Sequence, residues 1–391
     1  MGHDGTVSDE PDSTDTHALE NSGPGRPPRR WRFLTLLVLV SLLVAGLVVA
    51  AATIPVNKVI EAPGPTWNVL ADSGTEGEGD LLTVTGTTTY PAEGALRMTT
   101  VSVLGCPGYP VTTFDLIRAW LDPDAVILDR DEVCPQSLTA EEINEVNQAQ
   151  MTNSQDDAVI AALMESGAAT SMTLTIESAS AQELQSKVVQ GDVLTSITPA
   201  GGETTTITTY AQLRALMETI DPGTEVVLGV TRQGQPLSIT VTTQTPPAKD
   251  GRSGSILGIN LSVKVDSEIN ATFSLSDVGG PSAGTMFALG IIDKITPGSL
   301  TGGQDIAGTG TITIDGTVGP IGGIVQKMAG ARKDGSSYFL APVDNCSEVV
   351  GHEPDGLEVF AIATLHDAVL AAQAIAEGDT SSLPTCQSTG G

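Results

Sequence analysis

A serine and a lysine carry the chemistry that this sequence suggests. Ser282 sits in Gly279-Gly280-Pro281-Ser282-Ala283-Gly284, directly before the apolar run 285–292, TMFALGII. A serine at the first turn of a helix lies beside backbone N–H groups that lack intrahelical acceptors and form the positive end of the helix dipole. Such donors, here around Ser282 and Ala283 with Gly280 supporting the turn, stabilise an oxyanion formed next to the hydroxyl. The hydroxyl alone is a weak nucleophile and needs a base. Gly280-Pro281-Ser282-Ala283-Gly284 satisfies the G-x-S-x-G elbow, which would require an acid and a histidine downstream. His352, in NCSEVVGHEPDG, reads as a surface loop residue, and His366, in IATLHDAVLAA, as a cap or solvent-facing residue. His3 and His17 precede a long apolar stretch, and no HGGG-type segment lies upstream of the serine. The other route is a lysine, which loses its proton near neutral pH once desolvated. Ser–Lys pairs are a known variant of the triad. Lys327, in VGPIGGIVQKMAGARKDG, follows a Gly-Gly turn at a helix start among small and apolar neighbours, whereas Lys294 and Lys333 read as solvated.

Strands and helices must hold these two residues. Residues 80–105 alternate β-branched runs with Tyr-Pro and Glu-Gly, which predicts two or more strands. TTFDLIRAWLDP and TAEEINEVNQAQM have helical spacing, the second with Thr139 as N-cap and Glu142 three residues on. SQDDAVIAALMESG reads as a further helix stopped by Gly167. Segments 256–265 and 269–278 read as strands, the second running into the Ser282 turn.

The chain has 391 residues and 40% hydrophobic content, enough for two or three domains, with cores resting on aliphatic side chains because aromatics make up 3%. A formal charge of −29 argues against general affinity for nucleic acid. Residues 1–32 read as a disordered acidic tail ending in the cluster Arg26, Arg29, Arg30 and Arg32. Residues 33–54 carry no charge and are long enough to cross a bilayer, so an uncleaved transmembrane helix is expected, with cleavage after Ala50-Ala51-Ala52 as the alternative. The arginines orient it with a cytoplasmic N-terminus, placing all that follows outside the cell membrane. Cys106, Cys134, Cys346 and Cys386 lie beyond it, and local pairing 106–134 and 346–386 is the simplest of three connectivities. No ligand spacing suggests a metal, and no cofactor is expected.

Two resemblances complete the reading. Residues 169–247 resemble a bacterial PDZ domain in the order of Gly191-Asp192-Val193-Leu194, a helix carrying Leu213 and Leu216, and Pro222-Gly223-Thr224 before VVLGVTRQGQPLSITVT. That resemblance implies binding of an extended peptide, such as a protein C-terminus, with Gly191, Asp192, Val193, Leu194 and Leu213 as its contacts. Residues 255–378, through GGPSAGTMFALGIID and AGTGTITIDGTVGPIGGIVQKMAGARKDGSSYFLAP, resemble the proteolytic domain of the Lon family. The resemblance implies Ser282 as nucleophile, Lys327 as general base and Thr309 as a hydrogen-bonding partner of the lysine. The chain departs from the family with Thr309-Gly310-Thr311 in place of T-G-E, and with Val278-Gly279-Gly280 in place of Lys-Asp-Gly. The phosphate-loop pattern G-x-x-x-x-G-K-[ST] is missing from the sequence, so ATP-driven unfolding is not expected.

The whole is similar to membrane-anchored bacterial PDZ-containing Lon-like proteases, a resemblance that extends to YPAEGALRMTTVSV and MTNSQDDAVIAAL. The expectation is a mixed α/β multidomain chain: one transmembrane helix, an α/β region over 55–168 that packs with the protease domain, a β-rich PDZ-like module, an α+β Lon-type domain, and a tail over 379–391. The expected activity is an extracytoplasmic, ATP-independent serine endopeptidase acting on protein or peptide substrates. A non-catalytic PDZ scaffold and an α/β-hydrolase-type esterase using His366 are the alternatives. A homo-oligomer is carried by analogy with ring-forming relatives alone.

Overall fold

A computed structural model describes residues 29–71, 80–106, 109–134, 139–180, 184, 187–248, 253–275 and 278–389. Most of the acidic N-terminal tail expected to be disordered lies outside these residues. The chain divides into two units, Met1–Ile54 and Pro55–Gly391. In the first, Arg29–Thr53 is one helix, and its apolar stretch Phe33–Thr53 is uncharged and unburied. Its length suits a membrane span or a signal sequence alike.

In the second unit, six strands form a mixed sheet in the order Glu358–Ile362, Tyr338–Pro342, Asp305–Gly308, Ala95–Leu104, Lys58–Asn68 and Val126–Asp129. The first four run parallel and the two remaining pairings are antiparallel. Side chains alternate across a strand, and the sheet uses both faces. Ile306 and Leu340 join the core with helix Gly284–Ile295, while Ala307, Phe339 and Ala341 join a second core with helix Ile324–Lys333. The helix that follows Ser282 and the helix that carries Lys327 therefore lie on opposite faces of one sheet. Helix Gly284–Ile295 is buried from Gly284 through Asp293, which explains its nearly continuous apolar sequence.

Residues 140–165 form one helix instead of the two expected, because the polar stretch between them contains no Gly or Pro to break it. The N-cap at Thr139 forms as expected, with Glu142 completing a capping box. Of the 80–105 segment, Leu82–Thr85 pairs with Asn270–Phe273, and Ala95–Leu104 enters the central sheet.

A second sheet takes the order Gln235–Thr242, Glu225–Arg232, Val193–Pro199, Met172–Ala179 and Ile259–Val265, with helix Tyr210–Glu218 contributing Leu213 and Met217 to its core. Disulfides join Cys106 to Cys134 and Cys346 to Cys386, the pairs expected from proximity in sequence.

Candidate active site

The two helices converge where the short strand Asp305–Gly308 ends. Thr309, the next residue, is fully buried and stands between them. Lys327 Nζ lies 2.8 Å from Ser282 Oγ and 2.9 Å from Thr309 Oγ1. The Thr309 hydroxyl in turn donates to the Ser282 carbonyl at 3.0 Å. Serine, lysine and threonine thus form one hydrogen-bonded cluster.

The electrostatics follow from burial. Lys327 is 3% exposed, and among the described residues no carboxylate pairs with it. Desolvation therefore pulls its ammonium down from the usual lysine value of 10.5 to about 7. Its place in the first turn of helix Ile324–Lys333 acts in the same direction, because that helix end carries partial positive charge. Near neutral pH a large share of the amine is free to accept the serine proton.

The turn holding Ser282 is pinned on both sides. Gly310 N–H and the Thr309 hydroxyl both donate to the Ser282 carbonyl, and Ser154 Oγ donates to the Pro281 carbonyl at 2.9 Å. Gly280 adopts φ 87°, in the left-handed region that favours glycine, and its N–H donates to the Asn147 carbonyl. Gly280 therefore shapes the turn and has no N–H left for an oxyanion. A Cβ at Gly284 would come within 2.7 Å of both Ile312 and Ser154, so this close approach needs glycine. The N–H groups of Ser282 and Ala283 have no acceptor among the described residues and stand at the open helix end. They are the available donors to a developing oxyanion.

A cavity of ≈ 510 Å³ opens over Ser282 and Lys327. One wall is strand Ala95–Leu104, whose pairing with Asp305–Gly308 stops at Met98. From Thr99 to Leu104 that edge carries no partner strand among the described residues. Met98, Met151, Val278 and Trp67 add apolar surface near the serine.

Other residues fall elsewhere. His366 Nδ1 lies 2.7 Å from Glu165 at an exposed position and does not contact Ser282, and His352 is exposed in its loop. Lys294, expected to be solvated, is a correction: its side chain is 12% exposed and pairs with Asp80 at 3.8 Å. The five residues expected to bind peptide mostly build their module. Leu194 and Leu213 lie in its core, and Gly191 makes a turn with φ 91°. Val193 is half-buried, and Asp192 is 1% exposed and clamped by Arg232 at 2.7 Å. Ser154 and Asn147 were missed by sequence reasoning, since nothing in a long polar helix marks the residue that will brace a turn more than a hundred positions away.

Comparison with known proteins finds relatives for the segment that holds both residues. Residues 275–374 match the family model described as the Lon protease (S16) C-terminal proteolytic domain. The chain is 32% identical to Lon protease of Azospirillum brasilense over 107 residues, which cover 27% of this chain and 13% of that protein. It is 32% identical over 90 residues to Lon protease 2 of Bacillus subtilis, covering 23% of this chain and 16% of the relative. The mitochondrial Lon protease homolog of Drosophila melanogaster is 37% identical over 91 residues, 22% of this chain and 9% of that protein. The chain thus spans less than a fifth of the length of these relatives. The likeness to the Lon proteolytic domain drawn from the serine and lysine motifs is borne out, and it supports a serine endopeptidase.

Proposed function

We propose that this protein is a membrane-anchored, extracytoplasmic serine endopeptidase that works without ATP, using Ser282 as nucleophile and Lys327 as general base. The observation that carries the reading is a buried amine, held near neutrality by desolvation, 2.8 Å from a serine hydroxyl at an open helix end. The free amine takes the Oγ proton as Ser282 attacks a peptide carbonyl. The Ser282 and Ala283 N–H groups receive the oxyanion. The ammonium so formed, unfavourable in its dry site, returns the proton to the leaving amine. Thr309 keeps the lysine aimed at Oγ.

The substrate lies extended against the unpartnered edge of Thr99–Leu104, adding a strand whose backbone it recognises. Such a groove takes unfolded or already extended segments, consistent with a sequence in which the phosphate-loop pattern is missing. The PDZ-like module recruits those segments. Its helix is tied to the domain that holds the serine: Arg214 Nη1 pairs at 2.7 Å with Asp315, on the loop between Ile312 and Val318.

Hydrolysis of unfolded casein by the full chain in detergent tests the reading, with and without ATP and Mg²⁺. Activity should be indifferent to ATP, absent in Ser282→Ala and Lys327→Ala, and retained in His366→Ala. Loss in His366→Ala with survival in Lys327→Ala would point to an esterase-like triad, and an inactive wild-type chain would point to a scaffold.

A further inference from the structure

Helix Thr113–Trp120 carries apolar residues on two faces. Leu116 and Ala119 pack inward against Ile60 and Val111. On the outer side Phe114, Ile117, Trp120 and the adjoining Leu121 are 60%, 52%, 78% and 70% exposed. Spacing of three and four residues puts these four on one stripe. Val126 and Ile127, on the neighbouring strand Val126–Asp129, are exposed as well. Large contiguous patches of this kind on a soluble surface mark an interaction site. The element is also firmly built: a capping box at Thr112 and Asp115 starts it, and the Cys106–Cys134 disulfide ties the surrounding loops.

Chain connectivity names the occupant. Strand Val111–Thr112 pairs with Pro55–Val56, Pro55 opposite Thr112 and Val56 opposite Val111. The apolar helix ends at Thr53. One residue, Ile54, thus lies between the end of that helix and the backbone pair that launches helix Thr113–Trp120, two Cα steps or about 7 Å even when extended. If Phe33–Thr53 crosses a bilayer, the aromatic stripe is delivered to its surface, where Trp and Phe are favoured.

We propose that Phe114, Ile117, Trp120 and Leu121 dock into the interfacial layer of the membrane that the N-terminal helix spans. This rests on the reading of that helix as a span. Docking fixes the protease against the lipid surface. The far end of the substrate groove, Val103, Leu104 and Tyr109, belongs to the same stretch of chain and is held near the bilayer with it. The favoured substrates are then extended segments close to the membrane. The one cation of the helix, Arg118, is outnumbered by Asp115, Asp122 and Asp124, which leaves no net attraction to anionic lipids, so the contact is apolar and insensitive to salt.

Tryptophan quenching in the full chain tests this. The sequence has three Trp residues, at 31, 67 and 120. Trp31→Phe with Trp67→Phe leaves Trp120 alone, and Trp67→Phe with Trp120→Phe leaves Trp31 as the reporter of the anchor. Each protein is reconstituted in phosphatidylcholine vesicles with acyl chains brominated at carbons 6 and 7. The expected result is a several-fold loss of Trp120 emission relative to unbrominated vesicles, unchanged by 0.5 M NaCl. Co-flotation and quenching of Trp31 with an unquenched Trp120 would overturn the docking while leaving the anchor standing. Failure of the chain to float with vesicles would overturn the anchor and the docking together. An unquenched Trp120 whose emission shifts with protein concentration would assign the stripe to a second copy of the chain. Hydrogen exchange over residues 113–121 of the unsubstituted chain repeats the test without mutation. Slower exchange with Phe114 and Ile117 intact than in Phe114→Ser/Ile117→Ser, seen in vesicles only, is the supporting result, and equal protection overturns the proposal.

Discussion

Replacing Lys327 by methionine should abolish proteolysis and at the same time make the protein more stable. A lysine held at about 7 instead of 10.5 pays, in the folded state at pH 7 and below, for a charge that water would have solvated. At about 1.36 kcal/mol per tenfold change in the proton equilibrium, that is about 5 kcal/mol. Methionine has similar volume and carries no charge, so this destabilisation disappears. Against it stand two lost hydrogen bonds, to Ser282 and Thr309, at about 1 kcal/mol each. The net gain is about 3 kcal/mol, or roughly 5 °C in Tm for a domain of this size. The sign of the pH dependence follows from linkage. Between about 7 and 10.5 the unfolded chain holds the lysine proton and the folded chain does not, so wild-type stability rises with pH across that window. The advantage of Lys327→Met should therefore be full below pH 7 and fade as pH approaches 10.5. Thermal unfolding of both full chains at pH 6.5, 8 and 9.5 reads it. A variant less stable than wild type, or a difference that does not shrink with pH, would mean that Lys327 is charged and compensated in the fold, and the base assignment would fall.

Activity should show the same group: kcat/KM rises with pH through about 7 as the Lys327 amine is freed, and a flat profile from pH 6 to 8 would contradict this. Thr309→Val removes the acceptor that aims the lysine and should lower kcat at least tenfold with KM little changed, while Thr309→Ser restores most of it. Ser154→Ala loses one half-buried hydrogen bond to the Pro281 carbonyl and should lower stability by about 1 kcal/mol, with a several-fold fall in kcat measured on the same casein substrate. Arg214→Ala leaves Asp315, whose side chain is 8% exposed, without its cation, and should destabilise the chain by about 1–3 kcal/mol in a denaturant titration.

The serine and lysine were legible because each lies in a short contiguous motif whose local geometry, a small-residue turn opening a helix, is written in neighbouring residues. Their meeting was not. It depends on two helices on opposite faces of a sheet converging at the end of one four-residue strand, an arrangement set by non-local pairing. Thr309 entered through resemblance alone. Ser154, Asn147 and the Thr99–Leu104 edge were invisible, since their partners lie far away in sequence. Lys294 misled because a charged side chain near a Pro-Gly turn looks solvated until packing covers its stem. The stripe on Thr113–Trp120 was present in the spacing, but only the fold shows that its outer face is left uncovered.

Acylation by a peptidyl β-lactone followed by mass spectrometry measures most directly whether a neutral Lys327 activates Ser282. A single acyl group should appear on Ser282 of the full chain, forming faster as pH rises through about 7 and falling by orders of magnitude in Lys327→Met. Acylation at another residue, or on Ser282 at an undiminished rate in Lys327→Met, would contradict it.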